Sequence, residues 1–171
     1  ITDEDQFTES KDSKYNLDEL VKEDYKILEE LRNGINKSKR DSHIDNLKAM
    51  CNNQENIFIA SGVKTLEYQI CLTNIATTAA EIKSSSLFEY VKELNPNGIK
   101  KIETYLSSIS SESLNDEQRQ NTAILLWKCL PSKAGFAQGL STFLMDKIDN
   151  HQEIHFTVPK YIENAINHLI S

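Results

Sequence analysis

His151 and His155 stand four residues apart with Glu153 between them and Asp149 close by. On a helix that spacing would turn both imidazoles to one side and offer a metal ion two nitrogens and a carboxylate. The segment follows a helix end and runs into Pro159, and it lacks a His-Glu-x-x-His pattern. A solvated polar connector accounts for the same residues, so no metal ligand is assigned.

The three cysteines are Cys51, Cys71 and Cys129. Cys51 and Cys71 fall on or beside apolar stripes and read as small core residues. Cys129 sits near a helix end close to Pro131, where the negative end of the dipole would raise its pKa and discourage nucleophilic use. A dyad with His43, His151, His155 or His168 has no support in spacing. Gly135 and Gly139, in KAGFAQGLST, lack the Lys-Ser/Thr ending of a phosphate loop and follow no strand pattern. They read as sites of close helix approach. Lys37, Lys39 and Arg40 form a basic cluster without interleaved aromatics, which suits a solvated loop better than base stacking. The serines at 84–86 and 107–113 could accept phosphate, but loop serines need no such explanation. No catalytic residue and no cofactor site is assigned.

The elements that carry these residues are helical. With 171 residues and 39% hydrophobic content, the chain can bury a core without disulfides or metals. Five glycines and three prolines are few, which disfavours turn-rich β architectures. Residues 1–15 are dominated by charge and read as a flexible acidic leader, and 16–171 as a single α-helical domain. A first helix is expected from Asn16, with Glu19 completing a capping box and Leu17, Leu20, Val21, Tyr25, Leu28 and Leu31 forming its apolar face, up to Asn33-Gly34. Ser42 caps a short helix to Cys51, and Ile57–Ala60 reads as a helical turn with no second strand to pair with.

Val63 to about Lys83 reads as one apolar central helix. Leu87–Leu94 follows, then the turn signal Asn95-Pro96-Asn97-Gly98, then a helix from Ile99 to Ile109. Asn115 and Gln118 open the helix of Trp127, which Pro131 stops. From about Ser132 another helix points Phe136, Leu140, Phe143, Leu144 and Ile148 inward. An extended connector at Ile154–Val158 leads to a last helix with Tyr161, Ile162, Ala165, Ile166 and Leu169 apolar. Seven or eight helices on short connections predict an all-α, compact orthogonal multi-helix bundle. Stacked hairpins of the armadillo or HEAT kind are the alternative, without a clean repeat near 40 residues.

The net charge of -7 is unevenly placed. Residues 1–32 hold 11 acidic and five basic side chains, and the remainder 15 and 14, so an acidic arm precedes a nearly neutral body. Neither part has the basic stripe that nucleic-acid binding needs. No stretch is apolar enough to span a bilayer, so no membrane partner is expected either. An odd cysteine count fits a reducing, cytoplasmic compartment. Because it opens with Ile1, the chain is expected to be a processed product or excised fragment, and secretion as an effector stays open.

The expected function is therefore a protein-protein interaction module, an adaptor or effector-type domain presenting an acidic amphipathic helix or an interhelical groove to a partner protein, which the acidity would make a basic one. Glu19, Glu23, Asp24 and Glu30 on the first helix, with Trp127, are the candidate partner-binding residues. Trp127 is expected to be largely buried. Two alternatives stand beside this reading: an enzyme or toxin-like effector using polar residues near 149–155, and an acidic immunity or chaperone-like protein that neutralises a basic partner.

Overall fold

A computed structural model describes residues 2–3, 15–37, 42–51, 57–62, 64–109 and 112–170. Among them are ten α-helices: α1 (Leu17–Leu20), α2 (Lys26–Lys37), α3 (Ser42–Cys51), α4 (Leu66–Thr73), α5 (Ala79–Lys83), α6 (Ser86–Leu94), α7 (Pro96–Ser108), α8 (Asp116–Trp127), α9 (Lys133–Asp149) and α10 (Lys160–Ile170). Two short strands, β1 (Thr2–Asp3) and β2 (Ser61–Gly62), pair in parallel. The fold is an all-α multi-helix bundle.

Its centre is α8. Ala123, Ile124, Leu125 and Leu126 are buried in succession, so apolar residues face inward on all sides of this helix. It packs against α4 and α2, which come from distant parts of the chain, as well as against its neighbour α7. A solenoid, by contrast, contacts only sequence neighbours. A second layer joins α6 to α7 and α9. Leu20, Leu28, Leu31 and Ile35 turn the first helical segment onto the same core as Ile82, Phe88, Val91, Ile102 and Phe136.

The helix count exceeds the seven or eight expected because two predicted helices are broken. The stretch from Asn16 contains α1, a 3-10 turn at Glu23–Tyr25 and α2, with left-handed φ values of 52° at Asp24 and 66° at Tyr25. That bend sets Tyr25 edge-on to Tyr105 of α7, ring centroids 4.8 Å apart. The apolar stripe alone does not reveal it, because Leu20 and Leu28 stay buried on either side. Nor does Asn33-Gly34 end α2, which continues to Lys37, as nothing there calls for a left-handed glycine.

The predicted helix from Val63 to Lys83 divides into α4 and α5. Thr78 caps α5 and Glu81 returns the bond to the Thr78 N–H, a capping box inside what reads as continuous apolar sequence. The turn signal at 95–98 is the start of a helix: Asn95 caps α7 and Pro96 occupies its first turn, where a missing N–H costs nothing. Ile57–Ala60 is not helical and leads into β2, whose partner strand lies in the segment read as a leader. Residues 4–14 of that leader, and Lys39 and Arg40 of the basic cluster, lie outside the described residues.

Two start signals hold as expected. The Asn16 side chain accepts from the Glu19 N–H at 3.0 Å, and Asn115 and Gln118 exchange bonds of 2.9 Å at the head of α8. Among the described residues, no helix is long and apolar enough to cross a membrane.

Candidate functional site

The sequence-predicted partner-binding residues fall in two places. Glu19 is engaged in the capping box of α1, with its carboxylate accepting the Asn16 N–H at 2.8 Å. Glu23 opens the 3-10 turn, with its side chain outside the described set, while Asp24 and Glu30 are exposed. Trp127 closes α8 and is half-buried, set edge-on to Tyr68 at 5.7 Å with the Lys128 ammonium 5.3 Å from its ring. The acids belong to α1 and α2, and the tryptophan to the last turn of α8 against α4. The apolar face of the first helical segment is consumed by the core, leaving only its acidic side to a partner. Arg32 anchors that segment from within: it is buried, 3.5 Å from Asn121 Oδ1 on α8, and Asn121 in turn donates to the Tyr105 hydroxyl at 3.1 Å.

The polar set at 149–155 does not assemble a metal site. His151 is exposed at the left-handed end of α9, and His155 Nε2 lies 3.4 Å from Glu153. Among the described residues, no three of His, Cys, Asp and Glu converge to hold a metal. The backbone beyond is well fixed. His155 donates its N–H to Ser86 Oγ and accepts from the Ser86 N–H, both at 3.0 Å. Thr157 does the same with the Asn74 carboxamide, at 2.8 and 2.9 Å. Ser86 of α6 and Asn74 of the turn after α4 thus stand where a neighbouring strand would lie. Beside this connector lies a cleft of about 700 Å3, walled by Asn74, Thr77, Ser84, Arg119 and Phe156. The Arg119 guanidinium is spent on the Ile75 carbonyl, at 3.0 and 3.2 Å.

Neither buried thiol is poised for nucleophilic chemistry. Burial pushes Cys71 well above the usual thiol range and Cys129 up to about 12. For Cys129 burial is the cause, where the sequence suggested the helix dipole, and nearby Lys101 acts in the opposite sense.

Between α6 and α9 lie two adjoining hollows of about 430 and 450 Å3 that share Glu93 and Phe143. Gly139 lets the Tyr90 hydroxyl lie directly on α9, whereas Gly135 is exposed and meets only its own helix start.

Comparisons with protein-family models, curated proteins and solved structures return no match.

Several exposed large hydrophobic residues gather on α10. Tyr161, Ala165 and His168 recur at four and three residues and share one stripe. This stripe rests on β2 and the segment before it: the Tyr161 ring lies against Gly62, and His168 stacks on Phe58 at 4.9 Å. Ile162, Ile166 and Leu169 form a second stripe about 100° round the helix. That stripe is largely uncovered: Ile166 is 49% and Leu169 83% exposed, with Ile170 at 78% beside them. No α10 residue is buried, and Ile57 and Phe58 are themselves about half exposed. Sequence periodicity shows these residues as apolar positions of a last helix without saying what covers them; Ile148 of α9, expected inward, is 52% exposed.

Proposed function

We propose that this chain is a protein-interaction module, adaptor or effector-type, which docks a protein partner on the open stripe of α10 and the adjoining Ile57 and Phe58. The observation that carries this reading is an eleven-residue amphipathic helix with none of its residues buried. A helix of that length is marginal in water and draws its stability from covering an apolar face. Here one stripe is covered and the next is not. Contiguous exposed apolar surface of this kind is characteristic of recognition sites.

The acids contribute the partner's charge preference. Asp24, Glu29 and Glu30 are exposed on the outer side of the first helical segment, so a partner with a basic rim would be steered toward the chain and held less tightly at high salt. Buried unpaired thiols suit work in a reducing compartment.

The test is affinity capture from the cells that make the protein, with mass-spectrometric identification. Wild type is compared with Leu169→Glu and Ile166→Glu, and each variant is first checked for an unchanged melting temperature. Expected is a specific protein held by wild type and lost from both variants. Retention of the same proteins by the variants, or nothing above a control helical domain, would overturn the reading.

A further inference from the structure

The connector Glu153–Val158 has two unlike edges. The inner one is complete: His155 and Thr157 each direct N–H and C=O to the body, against Ser86 and Asn74. In an extended chain successive residues direct these groups to opposite sides. Ile154, Phe156 and Val158 therefore present their amides and carbonyls outward, and among the described residues no hydrogen bond reaches them. Ile154 and Val158 are exposed there, at 37% and 43%, while the Phe156 ring packs onto the core. The segment is a strand edge without a sheet, held by the Asn74 carboxamide and by the backbone N–H and hydroxyl of Ser86 where a neighbouring strand would lie.

We propose that this edge pairs with the same edge of a second copy of this chain, antiparallel about a two-fold axis through Phe156. The sequence of the edge is its own complement. Phe156 opposes Phe156 of the second copy, and Ile154 opposes Val158 on each side, so every outward residue meets an outward residue and each opposed pair exchanges both N–H···O bonds. Branched apolar side chains opposite one another are favourable cross-strand pairs. Charge agrees: Glu153 of one chain falls beside Pro159 and Lys160 of the other, both ionised side chains are largely exposed, and no like charges are opposed. Pro159, which cannot donate, ends the ladder where α10 begins.

The contact does not use the open stripe of α10, and the experiment separates the two. Sedimentation equilibrium of the full chain over a concentration series is combined with amide hydrogen exchange. Wild type should show a monomer-dimer equilibrium, and dilution should speed exchange at Ile154, Phe156 and Val158 while leaving His155 and Thr157 slow. Ile154→Lys and Val158→Lys each place a charge opposite an apolar residue twice per dimer and should weaken dimerisation about tenfold or more. Both positions are exposed in the monomer, so the melting temperature at low concentration should hold. Leu169→Glu should dimerise as wild type does. A wild type that stays monomeric at its highest soluble concentration overturns the proposal. So does a dimer that survives both lysine variants, or exchange at the three outward amides that is indifferent to concentration.

Discussion

The carboxamide of Asn74 holds the backbone of Thr157 by both its polar groups, 83 residues away in sequence, and donates as well to the Ile70 carbonyl at 2.9 Å. One buried side chain thereby ends α4, orients the connector and sets the direction in which α10 leaves the bundle. Asn74→Ala should remove about 1–3 kcal/mol of stability, because Thr157 loses both partners at a part-buried site. Asn74→Asp keeps the acceptor and turns the donor into a second oxygen facing two carbonyls. Its carboxyl would be easier to protonate than to ionise, with a folded pKa above the unfolded one. Stability should then rise as pH falls from about 7 to about 5, the reverse of an ion-paired carboxylate. Urea denaturation at the two pH values measures both effects.

Gly139 and Tyr90 supply a second test. A β-carbon at 139 would fall far inside contact with the Tyr90 hydroxyl, and that ring is also fixed by Phe136 and Phe143. Gly139→Ala should destabilise by about 1–3 kcal/mol despite its better helix propensity. Adding Tyr90→Phe removes the clashing oxygen and should recover most of the loss in a double-mutant cycle. At Gly135 the same change meets no neighbouring helix and should be neutral or mildly stabilising.

The thiols divide by burial. Cys71 is fully covered, Cys129 nearly so, and Cys51 is accessible. A thiol reagent near about pH 8 should modify Cys51 readily in the native chain, and the other two only on unfolding, since the thiolate is the reactive form. Burial raises the Cys129 thiol from 9.0 to about 12. Above about pH 9 the unfolded state releases this proton while the folded state keeps it, so stability should fall with rising pH at about 1 kcal/mol per unit. Cys129→Ala should lessen that slope, leaving the share that buried Cys71 contributes in the same sense. Because the Cys129 sulfur lies 2.6 Å from where a β-carbon at Gly98 would stand, the same variant should make Gly98→Ala more tolerable.

What was legible in the sequence had a short range. Asn16 with Glu19, Asn115 with Gln118, and the apolar recurrence through α8 each act within a turn or two of helix, so residue type and spacing were enough to show them. Thr78 with Glu81 carries the same signal, but Ile75, Ala79 and Ile82 keep the apolar rhythm unbroken across the turn and mask it. The candidate site was half legible: the stripe of α10 could be read, its exposure could not, since periodicity says which residues share a face and nothing about what covers it.

By itself the sequence determined an all-helical chain, an acidic first segment over a nearly neutral body, and the places where most helices begin, because these follow from local hydrogen bonds, backbone sterics and composition. Only the tertiary structure decided that Asp24 and Tyr25 bend the chain, that Asn74 reaches Thr157, that Cys129 is raised by burial, and that α10 keeps one stripe open. Those outcomes depend on which distant surfaces exclude water together, and Asn74 carries no mark in its neighbours of the backbone it will meet.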